Sequence, residues 1–236
     1  MDKTNLPKRF YKQASVSTCN GGYSVELDGR PIKTPAKATL TLPSEALARA
    51  IAEEWTAQGE TLDLQGMTLT RLANVALDRT PETREELAEE LARYASTDVT
   101  CYLVETPAGL RERQETAWQP WRDWAGKELG IVLVPVVGLM ASPQPPASLD
   151  AVRDYAMDLD DFRLTALAWG CSLLGSAVLA LAVERGALAA SKALAASCVD
   201  ETWQAEQWGE DEEAMAVRSA REKDASALET WFKALR

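Results

Sequence analysis

Apolar residues recur along this chain at two different periods, and the first gives way to the second after about residue 65. Early on, short alternating runs are separated by turn signals. "YSVEL" sets Tyr23, Val25 and Leu27 on one face of an extended segment, and Asp28-Gly29 follows as a hairpin-type turn. "ATLTLP" is a second strand candidate ending at Pro43. Ser44 then opens "SEALARAIAEEWTAQG", in which Leu47, Ile51 and Trp55 recur at four-residue spacing ahead of Gly59, the expected C-cap. This spacing also puts Trp55 on the buried side of its helix.

From "MTLTRLANVALDRTP" onward the period is helical. Leu69, Leu72, Ala73, Ala76 and Leu77 form one stripe, and Thr80-Pro81 marks the end of that helix and the start of another. In "ETREELAEELARYAST", Leu87, Leu91 and Tyr94 share a side, and Glu89 and Arg93 stand at a supportive i,i+4 spacing. Trp118, Trp121 and Trp124 make an aromatic stripe that reads as core, with Pro120 positioned to bend or restart the helix. After the Pro-rich "SPQPPAS", Ser148 is the expected cap of a helix from Leu149. Leu228, Trp231, Phe232 and Leu235 stand at i, i+3, i+4 and i+7, so the C-terminus is expected to dock as an amphipathic helix. The pattern predicts an α+β protein: a small β-rich N-terminal domain with an inserted helix over 1–78, then a larger all-helical domain over 79–236, without internal repeats.

"LTALAWGCSLLGSAVLALAV", residues 164–183, runs for 20 residues without a charge, long enough to cross a bilayer as a helix. Its composition favours another reading. Thr165, Gly170, Ser172, Gly175 and Ser176 interrupt it, no flanking Lys/Arg cluster accompanies it, and small residues let helices approach closely. A core helix, surrounded on all sides, is the expectation, with no membrane insertion.

Composition narrows the chemistry. A formal charge of -11 argues against binding nucleic acid, which requires a cationic face that releases counterions from phosphates. Cys19, Cys101, Cys171 and Cys198 lack CxxC spacing, so reduced thiols are expected instead of a zinc or redox motif. The polar opening "MDKTNLPKRFYK" carries no apolar signal core, which reads as a cytoplasmic protein or a trimmed organellar one. With no histidine, nucleophile-histidine arrangements and histidine-ligated metals are excluded. Neither GxxxxGK[ST] nor a GxGxxG after a strand occurs, and "CNGGYS" reads as a β-turn, so no cofactor is expected. A pair of Asp or Glu side chains in different environments suffices for general acid and base work, which keeps a carboxylate-dependent hydrolase as the alternative enzyme class.

One late stretch, "DETWQAEQWGEDEEA", concentrates tryptophan, glutamine and carboxylates. At about 100° per residue on a helix, Glu201, Gln204, Trp208 and Asp211 share one arc, while Trp203, Glu206, Glu210 and Glu213 lie towards another. Two readings follow. Either Trp208 packs inward and the polar groups cap neighbouring helix ends, or an aromatic anchor and hydrogen-bonding acids form a recognition face for a protein partner.

"KRFYK" at 8–12, "LDGRPIKTP" at 27–35, "EEWTAQ" at 53–58, "TDVTCYL" at 97–103 and "DETWQAEQWGED" at 200–211 occur in an order that resembles the assembly chaperones binding the alpha subunit of the catalytic head of F-type ATP synthase. The resemblance spans nearly the whole chain. It implies the same two-domain architecture, a non-enzymatic holding function, no cofactor, the ATP synthase alpha subunit as partner, and a chain that is monomeric when free. It also implies a bacterial cytoplasmic protein, or a mitochondrial matrix protein if trimmed. The resemblance associates the late acidic motif with function and so favours recognition, with Glu201 foremost and Gln204, Glu206, Trp208 and Asp211 beside it. Trp203 stands where the family pattern has a tyrosine before the glutamine, keeping the ring and losing the hydroxyl.

Overall fold

A computed structural model describes residues 6–138 and 142–236. Two compact units emerge. The first holds the described residues up to Glu82 together with Thr230–Arg236, and the second holds Thr83–Glu229.

In the first unit, β2 (Gly22–Leu27) is the central strand. On one side it pairs antiparallel with β1 (Ala14–Cys19), Val16 opposite Val25. On the other it meets both β3 (Arg30–Pro31) and β4 (Thr41–Leu42), again antiparallel. Glycine is required at position 22, because a Cβ there would lie 2.2 Å from the carbonyl oxygen of Leu42. α1 (Glu45–Thr56) starts at Ser44, whose hydroxyl accepts the Leu47 N–H at 3.1 Å, and buries Leu47, Ile51 and Trp55 as their spacing predicts. It stops at Ala57, two residues before the expected Gly59.

The stripe of α2 (Thr68–Asp78) is buried through Leu69, Leu72, Ala73 and Ala76. This helix has no side-chain cap from its own N-cap residue, Met67. Glu54 of α1 supplies one, accepting the N–H groups of Leu69 at 2.7 Å and Thr70 at 2.8 Å as well as the Thr70 hydroxyl at 2.8 Å.

α3 (Thr80–Ser96) breaks at Thr83, which has φ -123 and ψ 17, and the second unit begins there. Glu89 pairs with Arg153 at 2.6 Å, across to another helix, so the expected Glu89–Arg93 spacing is not where its ion pair forms. α4 (Ala108–Leu129) runs through Pro120 without ending, and it closes on Gly130 in the left-handed region at φ 70. Trp118 is fully buried, its indole N–H donating to the Ala196 carbonyl at 2.7 Å, whereas Trp121 and Trp124 are half-buried. α5 (Pro146–Asp158) begins earlier than predicted, on Pro145 and Pro146. Ser148 is therefore inside the helix, and its hydroxyl ties both the N–H and the C=O of Val132 at 3.0 and 2.7 Å.

The long apolar run forms two helices, α6 (Asp161–Leu174) and α7 (Ala177–Glu184). Gly175 ends the first at φ 61, and the Ser176 hydroxyl caps the second by accepting the Leu179 N–H at 3.0 Å. Every residue of α7 is buried, and no helix among the described residues is long and apolar enough to cross a membrane. Asp98 ties this break to the preceding chain: its carboxylate accepts the Thr100 and Val178 N–H groups at 3.0 Å each and the Thr100 and Ser176 hydroxyls at 2.8 Å each. Burial pushes its carboxyl above the usual range, ahead of the hydrogen bonds that pull it back.

Among the described residues, strand pairing interrupts the helices of the second unit in one place. β5 (Tyr102–Leu103) pairs in parallel with β6 (Val136–Val137), strands too short to leave a period in the sequence. α8 (Ala190–Ser197), α9 (Val199–Trp208) and α10 (Glu212–Ala234) complete the fold.

Candidate protein-binding cleft

The two sides of α9 have different surroundings. Towards α4, Gln114 donates its amide N–H to Asp200 at 2.7 Å while its carbonyl oxygen accepts the Val104 N–H at 2.8 Å. Trp203 lies over Gly109, where a Cβ would come within 3.1 Å of the indole. The Arg113 guanidinium sits 4.7 Å from that ring's centroid and donates to both Glu206 oxygens at 2.9 and 2.7 Å. This side of α9 is occupied by its own fold.

The other side faces a cleft of about 890 Å³, walled by α8, α9 and the first turns of α10. Leu194, Ala195, Cys198, Ala205, Ala214 and Val217 give it apolar surface; Glu201, Gln204, Trp208, Glu210, Asp211, Glu213, Arg218, Arg221 and Glu222 give it polar edges and one large ring. No residue of α9 is fully buried, and positions 212–220 of α10 are all exposed. Trp208 is 79% exposed. A tryptophan left this open forgoes the burial that normally recommends the residue, so its ring is available to a partner.

Several edge carboxylates are already engaged. Glu201 pairs with Arg221 at 3.6 Å, and Arg221 also donates to the Leu173 carbonyl at 3.2 Å. Glu210 pairs with Arg218 at 2.5 Å. Asp211 caps α10, its Oδ1 accepting the Ala214 N–H at 2.8 Å.

The structure thus brings Glu201, Gln204, Trp208 and Asp211 together in one cleft, and leaves Glu206 outside it, bound to Arg113 on the α4 side. Asp211 arrives by a different route from the one its spacing predicts. The helix ends at Trp208, Gly209 turns the chain at φ 84 and ψ 175, and Asp211 opens the next helix, whose Arg221 returns to Glu201. Reading the sequence as one helix missed that second wall, with Val217, Arg218 and Arg221. Its signal was present: Ala214, Val217, Arg218, Arg221 and Ala225 recur at three- and four-residue spacing.

The chain is similar to known proteins over most of its length. The family described as "ATP12 chaperone protein" matches residues 8–126. The mitochondrial protein atp12 of Schizosaccharomyces pombe is 28% identical over 222 residues, covering 89% of this chain and 76% of the yeast protein. The crystal structure of Atp12 from Paracoccus denitrificans superposes with a TM-score of 0.90 at 40% identity, covering 98% of this chain and 99% of the other.

Proposed function

The chain belongs to the ATP12 chaperone family, and from that premise we propose that it assists assembly of the catalytic head of F-type ATP synthase by holding the unassembled alpha subunit. An unassembled alpha subunit exposes apolar surface that it later buries against beta subunits, and such a patch aggregates unless covered. Coverage by this chaperone prevents self-association, and competition by a beta subunit ends it. Related proteins are mitochondrial in a yeast and also found in bacteria; the same compartments, bacterial cytoplasm or mitochondrial matrix, are proposed for this chain, monomeric when free.

The observation that carries the reading is the exposed indole of Trp208 at the edge of an apolar cleft that also gathers Glu201, Gln204 and Asp211. An open aromatic ring beside apolar surface and hydrogen-bonding acids is the make-up of a binding hot spot before its partner arrives. A hydrolase would place one carboxyl in a desolvated setting and keep another ionised. The cleft carboxylates do not have that division, since Glu201, Asp211, Glu213 and Glu222 are exposed and the Glu210 carboxylate is held by Arg218.

Glu201→Lys tests the reading. The Glu201 side chain is 59% exposed, so losing its pair with Arg221 is expected to change stability by no more than about 1 kcal/mol. Truncating a charge that becomes desolvated in an interface costs about 2 to 5 kcal/mol of binding. The variant should therefore melt close to the parent and fail to pull down newly made alpha subunit. Undiminished capture by a folded variant would move the interface away from this cleft.

A further inference from the structure

We propose that the cleft takes a basic amphipathic helix of its client, seated apolar face inward with Lys or Arg along its edges. The inference rests on the reading above that this cleft is the partner-binding site, and adds the chemistry and conformation of what enters it.

The conformation follows from the walls. The backbone groups of α8, α9 and α10 are taken up along each helix or by side-chain partners such as Glu229 on the Ala190 N–H and Asp211 on the Ala214 N–H, so they offer no row of free N–H and C=O groups to an extended chain. A guest pressed into apolar surface there must bring its own backbone hydrogen bonds, which a helix does and a strand does not. Helix-in-groove recognition also matches the apolar lining of Leu194, Ala205 and Val217.

The charge follows from the edges. Arg218 and Arg221 are paired with Glu210 and Glu201. Asp211, Glu213 and Glu222 border the same cleft with no cationic partner among the described residues. The resulting negative edge favours a guest with cationic flanks and disfavours an acidic one. Trp208 adds a ring face on which an Arg or Lys of the guest can stack.

The test uses the full chain and three fluorescently labelled helical peptides of equal length: leucine-lysine amphipathic, leucine-glutamate amphipathic, and serine-lysine with no apolar face. Anisotropy titrations should show the leucine-lysine helix binding at least roughly tenfold more tightly than either other peptide. Trp208→Ala should weaken that binding by roughly tenfold or more. Glu213→Lys with Glu222→Lys should weaken it similarly and strengthen binding of the leucine-glutamate helix, with melting temperatures near the parent's for both variants, since all three residues are exposed.

No binding of the leucine-lysine helix, equal binding of the leucine-glutamate helix, equal binding of the serine-lysine peptide, or indifference to Trp208→Ala would each overturn the proposal. Alpha-subunit capture is measured in parallel on the same proteins. Peptide selectivity without capture would defeat the alpha-subunit reading alone, and capture without peptide selectivity would defeat this inference alone.

Discussion

Trp203 and Trp208 stand five positions apart on α9, a rotation of about 140°, and that angle gives them different roles. Trp203 is half-buried beneath Arg113 and against Gly109, while Trp208 is open to the cleft. This separation was legible, because it depends only on helical geometry and a run of ten residues. Glu206 lies outside the cleft, held by Arg113 from 93 positions earlier, a partner of which spacing within one helix carries no trace. The cysteines extend the argument to reactivity. Burial first, and the charge of Asp98 second, push the Cys101 thiol up to about 12, and burial holds Cys171 well above its ordinary value as well. Cys19 and Cys198 are only half-buried. An alkylating reagent near pH 8 should label Cys19 and Cys198 in the native protein, and Cys101 and Cys171 only after denaturant is added. Mass spectrometry of the labelled peptides checks this; rapid native labelling of Cys101 would show that its surroundings open. Cys198 also borders the cleft, so bound alpha subunit should slow its labelling and leave that of Cys19 unchanged.

At the scale of elements, what the sequence conceals is how one helix ends another. Hydropathy merges α6 and α7 into one run, although Gly175 and Ser176 are an ordinary stop and start pair. The stop was masked because both sides of it are buried, leaving no change of polarity to mark the break. Asp98 belongs to the motif "TDVTCYL", yet its role in holding Ser176 and Val178 depends on residues 78 and 80 positions away. Glu54 presents the same case within "EEWTAQ", capping α2 from α1. Removing it by Glu54→Ala leaves buried N–H donors unpaired and should destabilise by about 1 to 3 kcal/mol. Its pH behaviour has a definite sign. Burial raises the Glu54 carboxyl in the folded protein ahead of the hydrogen bonds that lower it, so the folded state holds its proton more firmly than the unfolded chain does. Stability from this group is full below the ordinary glutamate value and is lost as pH rises through the raised one. Glu54→Gln removes the titration. The melting temperature of the parent minus that of Glu54→Gln should thus fall as pH rises above the ordinary glutamate value. A difference that stays flat or rises would assign the opposite sign to the Glu54 environment.

For the whole molecule, the sequence is legible wherever a period persists and silent where the chain returns to an earlier unit. The change of period places strands early and helices late, and the α+β class follows from it. A boundary drawn at 78/79 cannot register that α10 ends among the residues of the first unit. The apolar spacing of Leu228, Trp231 and Phe232 predicted that the C-terminus docks, and all three are buried, but spacing names no docking partner. The unit that receives the end of the chain gives the last prediction. Trp231 and Phe232 are 0% and 1% exposed, and the Ser44 hydroxyl that caps α1 also donates to the Ala234 carbonyl at 2.5 Å. Replacing a buried tryptophan by alanine costs about 3 to 5 kcal/mol, a large share of one domain's stability. Trp231→Ala should therefore loosen the N-terminal sheet, although it lies some 200 positions away in sequence. Hydrogen exchange on the full-length variant is the measurement. Protection should fall at Val25, Leu27 and Ile51, which share its unit, and persist at Leu167 and Leu179 in the other. If Leu167 and Leu179 lose protection in equal measure, the two units unfold as one cooperative block. If Val25 keeps full protection, the sheet and α1 are stable without the returning helix end.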